Sequence, residues 1–313
     1  MVEPAIQAEF NGVARLKLFL ALSRTPHGLL DMCTPAFAAL LWLGALPTAP
    51  FVLLGLITTF AGYTAVYALN DLVDYRVDRE KAAGGGLTSA GNDLDGLITR
   101  HPMAQGLLGF REGLVWALFW ALTALLGAFM LNPVCVFIFL GGCALEAVYC
   151  LLWRVSPYRT LVSGAVKTTG ALAAVFAVDP HPSALFLVLL FLTLFFWEIG
   201  GQNIPNDLTD LKEDRRMRAL TIPICFGVER AVLIAGASLA GATVLTTVVF
   251  LVSPLKYSAL FALLSLAAAC FLLIDPVMDL VRQKDAQAAM RLFNRASYYP
   301  ATMLLIVLLG VVI

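Results

Sequence analysis

Charge is what this chain has least of. Only 13% of its 313 residues are Asp, Glu, Lys or Arg, against about 25% in soluble domains, while 60% are hydrophobic. With a mean hydropathy of +0.85, that shortage excludes an ordinary soluble domain and describes a polytopic membrane protein. The 21 basic residues are matched by 21 acidic ones, so no bulk electrostatic attraction points to nucleic acid. The six cysteines (Cys33, Cys135, Cys143, Cys150, Cys225 and Cys270) include no C-x-x-C pair, and five lie in apolar segments. Zinc and disulfide frameworks are thereby poorly supported, and small apolar packing is the better reading. Residues 1–28 lack an uninterrupted apolar core and a clear cleavage site, so no secretory signal peptide is expected.

Long apolar runs are abundant. A helix needs ~20 apolar residues to cross the hydrocarbon core, and nine stretches qualify: 29–46, 51–69, 113–131, 134–153, 160–178, 183–203, 231–252, 257–274 and 298–313. Each should be helical, because no water inside the bilayer is available to satisfy backbone groups. The expected fold is all-α: a polytopic membrane bundle of about nine transmembrane helices around a central cavity. It forms a single domain over 1–313, in two pseudo-repeated halves of roughly 1–153 and 154–313. Alternate loops carry nearly all the charge: 19 of the 21 Lys and Arg lie on the N-terminus and on loops 70–112, 154–159, 204–230 and 275–297. The positive-inside bias places those segments in the cytoplasm of a multi-pass protein, as expected for a bacterial inner membrane.

Two of these loops share a pattern. Asn70-Asp71-Leu72-Val73-Asp74-Tyr75-Arg76-Val77-Asp78-Arg79 returns 136 positions later as Asn206-Asp207-Leu208-Thr209-Asp210-Leu211-Lys212-Glu213-Asp214-Arg215. On a helix, the Asn and three Asp of either copy fall within a ~100° arc. Crowded carboxylates repel, so a cation should offset them, and hard divalent ions such as Mg²⁺ take carboxylate and phosphate oxygens. Two such faces turned together would cage Mg²⁺ and a diphosphate. One solvated acidic helix end would be unremarkable; two copies, each ending a membrane-length run, are not.

The remaining long loops are less specific. A Gly-rich stretch, about 82–99, reads as a flexible insertion, and its acids lack the twelve-residue calcium-loop pattern. Asp275 to Arg295 reads either as an amphipathic helix on the membrane surface or as a segment packed on neighbouring loops.

Together these features resemble the UbiA superfamily of intramembrane prenyltransferases, across most of the chain. The first motif is similar to the family's N-D-x-x-D-x-x-x-D and the second to its D-x-x-D-x-x-x-D. Thr221-Ile222-Pro223-Ile224 approaches the family's T-L-P-V, and Arg100-His101-Pro102-Met103-Ala104-Gln105-Gly106 approaches its R-P-L-x-x-G. The resemblance implies a Mg²⁺-dependent enzyme that binds a polyprenyl diphosphate, ionises it, and lets a lipophilic acceptor capture the cation. The acceptor would be aromatic and quinone-precursor-like, such as a hydroxybenzoate, naphthoate or homogentisate. Carried onto this chain, Asn70, Asp71, Asp74, Asp78, Asp207, Asp210 and Asp214 would hold metal, with Asp74, Asp78, Asp210 and Asp214 central to catalysis.

Cationic side chains near the motifs, namely Arg79, Lys81, Arg100, His101, Lys212 and Arg215, are candidates for the diphosphate, with Arg79 and Lys81 preferred. Two departures stand out: a longer spacer before Pro102, and His101 where the family carries Arg. Ionisable groups inside spans usually face the bundle interior, and Asp31, Glu146, Lys167 and Glu198 qualify. Arg24 resembles the Arg of the family's initial R-P segment. Arg24, Glu146, Tyr149 and Lys167 are therefore expected to line the cavity near the acceptor, although Glu146 and Lys167 could equally form a structural ion pair. Glu198 could support the second motif, and Phe195-Phe196-Trp197 could shelter a cation or simply pack. An intramembrane terpene cyclase, and a noncatalytic lipid-binding or transport protein, are the rival readings; in the latter, sites tend to lie at the midplane.

Overall fold

The computed structural model describes residues 12–84 and 99–313; most of the Gly-rich insertion lies outside them. Among the described residues every regular element is helical, and eight helices are long and apolar enough to cross a membrane. The chain is an all-α membrane bundle. Its elements are α1 (Gly12–Leu22), α2 (Thr25–Asp31), α3 (Cys33–Leu43), α4 (Ala49–Val73), α5 (Tyr75–Ala83), α6 (Phe110–Leu131), α7 (Pro133–Leu151) and α8 (Arg159–Val178). The second half contains α9 (Ala184–Trp197), a π-turn (Glu198–Asn203), α10 (Ile204–Thr209), α11 (Leu211–Met217), α12 (Ile222–Phe226) and α13 (Val228–Leu251). It ends with α14 (Ser258–Ala269), a second π-turn (Cys270–Ile274), α15 (Asp275–Gln283), α16 (Ala286–Ser297) and α17 (Tyr299–Val312).

Eight of the nine expected spans are single long helices; the first crosses as two shorter ones, from Arg24 beside Asn70 to Gly44 beside Pro254, and proline chemistry accounts for the break. The first expected span is broken between Asp31 and Cys33. Pro35 has no N–H to give the Asp31 carbonyl, and its ring crowds that carbonyl. The expected loop 275–297 is also helical. Continuous helix runs from Ser258 to Gln283 through the π-turn, and again from Ala286 to Val312. Val277, Leu280, Ala289, Leu292 and Phe293 are buried there. This segment therefore packs into the protein, and the alternative of a helix lying on the membrane surface is set aside.

The two faces of each span are sorted by what they meet. On α6, Val115, Leu118, Leu122, Leu126 and Phe129 repeat every three to four residues and are all exposed, the spacing of one helix face. With no water in the bilayer to avoid, such a stripe suits lipid. Inward faces are small: Ala117, Ala124 and Ala128 on α6 are buried, as are Ala61, Ala65 and Ala68 on α4. Small residues let backbones approach closely. The largest core cluster joins α3, α8, α9 and α13 to α17, and includes Leu190, Leu194, Trp197, Leu239, Leu273 and Tyr299. The aromatic run belongs to this packing: Trp197 donates to the Ala296 carbonyl at 3.0 Å and stacks on Tyr299.

The π-turn at 198–203 is held against α13 by Gly200, where an added Cβ would stand 2.6 Å from the Ala235 carbonyl oxygen. A backbone oxygen cannot rotate away, so Gly200→Ala should destabilise the protein by about 1–3 kcal/mol. Gly141→Ala, with nothing within 4 Å of the new methyl, should be neutral or stabilising. The check is the thermal midpoint of each variant in detergent: lower for the first, unchanged or raised for the second.

Candidate active site

Both acidic motifs sit at a helix joint, not on one unbroken helix face as the periodicity predicts. Asp74 links α4 to α5 with φ −82° and ψ 0°; Asp210 links α10 to α11 with φ −96° and ψ 9°. Helical hydrogen bonds nonetheless continue through each joint. Asp74 N donates to Asn70 O (2.9 Å), Asp78 N to Asp74 O (2.9 Å), Asp210 N to Asn206 O (3.2 Å) and Asp214 N to Asp210 O (2.9 Å). The four-residue spacing thus keeps the acids stacked on one side in both copies. Asn70, Asp71, Asp78, Asp207 and Asp214 are buried, Asp74 and Asp210 partly so, and Asn206 is exposed.

The cations divide into two groups. Lys81 Nζ lies 3.9 Å from Asp78 Oδ1 and 4.5 Å from the Trp153 ring centre. It acts electrostatically on Asp74 and Asp78 of the first motif and on Asp207 and Asp214 of the second. Arg159, which the sequence reading passed over, does the same for Asp74, Asp207 and Asp214. It is buried at the start of α8, with its guanidinium 4.1 Å from the Tyr149 ring centre. Its one sequence signal is a basic residue at the lip of a span.

Arg100 is partly buried and feels Asp210. Arg79, Lys212 and Arg215 are exposed, and Arg79 stacks over Tyr75. Arg79 and Lys81, the preferred pair, are two positions apart on α5, which turns them to different sides. Arg154 instead clasps the two motif arms, donating to Glu80 (2.6 Å) and to the Met217 carbonyl (3.1 Å).

Burial pushes the Asp74 carboxyl up, with Asp78 adding to the rise, and burial with Asp210 lifts Asp214 to about 6 despite Lys81. Burial would lift Asp78 as well, but a hydrogen bond and charge from His101, with Lys81, hold it below the usual range. His101 Nδ1 lies 3.1 Å from Asp71 Oδ1 and 3.0 Å from Asp78 Oδ2. The His101, Asp71 and Asp78 ligand atoms lie within 4.8 Å of one another. Asp207 Oδ2, on the other motif, is buried without a hydrogen-bond partner. An oxygen-dominated donor set with an orphaned carboxylate oxygen fits a hard divalent cation.

Beneath the motifs lies a cavity of about 570 Å³. On α4 its lining runs from Asn70 to Phe51, a rise of about 28 Å, close to the thickness of a hydrocarbon core. Arg24, Glu146, Tyr149 and Lys167 all line it. Arg24 donates to Asn70 Oδ1 (3.1 Å), and Asn70 Nδ2 donates to Glu146 Oε1 (2.6 Å). Tyr149 accepts from Asn203 (3.1 Å), which in turn accepts from Thr160 (2.7 Å). Lys167 pairs with Asp31 at 2.6 Å, so the alternative Glu146–Lys167 ion pair is replaced by two separate contacts.

An α-helical membrane bundle with paired acid motifs over a bundle-deep apolar chamber defines a class of intramembrane lipid-modifying enzyme. The chain belongs to the UbiA prenyltransferase family, whose model matches residues 32–299, and it is a prenyltransferase. It is 24% identical to digeranylgeranylglyceryl phosphate synthase of Methanococcoides burtonii over 292 residues, 91% of this chain and 97% of that protein. It is 29% identical to 4-hydroxybenzoate octaprenyltransferase of Pseudomonas aeruginosa over 65% of this chain and 68% of that one. A UbiA homolog from Archaeoglobus fulgidus, solved with DMAPP and Mg²⁺ bound, superposes with a TM-score of 0.68 at 17% identity, covering 92% and 98% of the two chains.

His101 yields a pH test. Burial opposes its protonation, but Asp71 and Asp78 outweigh burial and hold the imidazole at about 9 against an ordinary 6.5. A raised folded-state value stabilises fully below the ordinary value and is lost as pH rises through the folded one. In metal-free buffer the thermal midpoint should fall by several degrees between pH 6.5 and 9, and His101→Asn should flatten that fall. An equally steep fall in the variant would rule out this pairing as its source.

Proposed function

We propose that the chain moves a prenyl group from a polyprenyl diphosphate to a lipophilic, aromatic acceptor inside the membrane, with Mg²⁺ held between the two acid motifs. The observation that carries this reading is the placement of twin motifs of matching backbone geometry at one end of a cavity that traverses the bundle. The Mg²⁺ and DMAPP bound to the Archaeoglobus homolog support the same assignment.

Asn70, Asp74 and Asp78, with Asp207, Asp210 and Asp214, are the ligands we assign to metal, and Asp71 is shared with His101. When bound, Mg²⁺ supplies Lewis-acid neutralisation of the departing diphosphate. Lys81 and Arg159, which act on both motifs, and Arg100, which feels Asp210, are the cations we assign to diphosphate oxygens, adding electrostatic stabilisation. The apolar walls of the cavity take the isoprenoid chain and exclude water, which would otherwise capture the allylic cation. The C–O bond to diphosphate breaks with its electron pair leaving on oxygen. The acceptor then bonds to the freed carbon and releases a proton. The basic bias of the loops bearing both motifs supports a cytoplasmic mouth in a bacterial inner membrane.

Asp74→Ala and Asp210→Ala test this directly. Each should reduce Mg²⁺-dependent diphosphate release from geranyl diphosphate at least ~100-fold, with membrane expression retained. Undiminished release in both variants would refute the assignment.

A further inference from the structure

A second polar cluster lies deeper in the same cavity, and the reaction chemistry above does not use it. Asp31 accepts from Lys167 Nζ at 2.6 Å and from the Tyr67 hydroxyl, and Lys167 also donates to that hydroxyl at 3.3 Å. Glu198 Oε1 accepts from Ser163 at 2.7 Å. Its other oxygen, Oε2, is buried with no hydrogen-bond partner, in a residue only 6% exposed. Glu198, Ser163, Lys167 and Asp31 all line the cavity. Glu198 is nine residues before Asp207, about two helical turns away through the π-turn, so the cluster lies below the metal ligands.

An orphaned carboxylate oxygen in a membrane interior is costly and persists where function uses it. The chain has also reshaped its backbone here: Glu198 opens the π-turn, a device that frequently marks functional sites. The turn brings Glu198, Gln202, Asn203 and Asn206 to the cavity wall together.

The charge at this level selects its ligand. Two carboxylates, Asp31 and Glu198, act on the single ammonium of Lys167, and His27 Nε2 stands 3.8 Å from Asp31 Oδ1. A carboxylate on the acceptor would meet Glu198 with Lys167 already engaged by Asp31. An ammonium would meet Lys167. An uncharged hydroxyl suits both, giving its hydrogen to Glu198 Oε2 and offering a lone pair to the ammonium.

We infer that Glu198, with Lys167, forms a subsite that binds an uncharged hydroxyl of the acceptor, so that the end of the aromatic acceptor seated there is a neutral alcohol or phenol and not a carboxylate. This rests on the prenyl-transfer reading and narrows its acceptor. The identity of the nucleophilic atom is left to the upper cavity; the subsite anchors the opposite end of the ring.

The test uses the full chain in detergent or nanodiscs with Mg²⁺ and geranyl diphosphate, and a probe pair that shares the ring and its phenol and differs only in the para group: 4-hydroxybenzyl alcohol and 4-hydroxybenzoate. Diphosphate release and prenylated product are measured separately. The alcohol should be prenylated with a KM about tenfold or more below that of the acid. Glu198→Gln, which keeps the shape but places an amide there, should raise the alcohol's KM about tenfold with kcat little changed, and should narrow the discrimination against the acid. Retained diphosphate release in that variant reports an intact fold. Preference for the acid, prenylation of neither probe while diphosphate is still released, or identical discrimination by the variant would each overturn the subsite. Absence of diphosphate release from the unmodified chain would bring down the broader reading with it.

Discussion

Burying like charges in a membrane protein is the constraint on which the rest of this structure depends. Six aspartates and two asparagines are gathered at one end of a bundle built mostly of alanine, leucine, valine and phenylalanine. They are tolerable only because cations from other elements reach among them. Arg24 comes from the α1–α2 joint, Lys81 from α5, His101 from the loop before α6, and Arg159 from the start of α8. Removing one partner of a buried pair leaves an uncompensated charge, which costs far more than the pair contributes. The cations therefore hold the mouth in shape and leave carboxylate oxygens available for metal.

That constraint explains which parts were legible in the sequence. Span positions follow from apolar run length alone, and the motifs from their repetition, because both depend on residues close together in the chain. The π-turns and the break at Met32 were not legible in the same way. Pro35 gave a local warning of the break, but nothing around Glu198 announces an extra residue in the helical turn; that geometry is selected by packing against α13, where Gly200 meets the Ala235 carbonyl. Arg159 was missed for a related reason. At a span edge a basic residue looks like topology, and only the approach of Tyr149 and Asp207 distinguishes it. Arg79 is the converse case: adjacency to Asp78 in sequence places it one helical step around α5, exposed and over Tyr75.

On the proposed reading, the two polar levels of the cavity divide the work of one reaction. At the mouth, the motif carboxylates stand among Lys81, His101 and Arg159, surroundings that suit a diphosphate better than a bare hydrocarbon. Deeper, Asp31, Lys167 and Glu198 form a second polar cluster, with Gly170, Ala173 and Ala177 also lining the cavity wall. An isoprenoid chain gains nothing from that cluster, and burying it there would leave Glu198 Oε2 without any partner. A ligand with one polar end and a ring satisfies the cluster and still reaches upward toward the motifs. The same chamber can thus hold two substrates of opposite character side by side: one hung by its charged head from the mouth, the other anchored from below by a single hydroxyl.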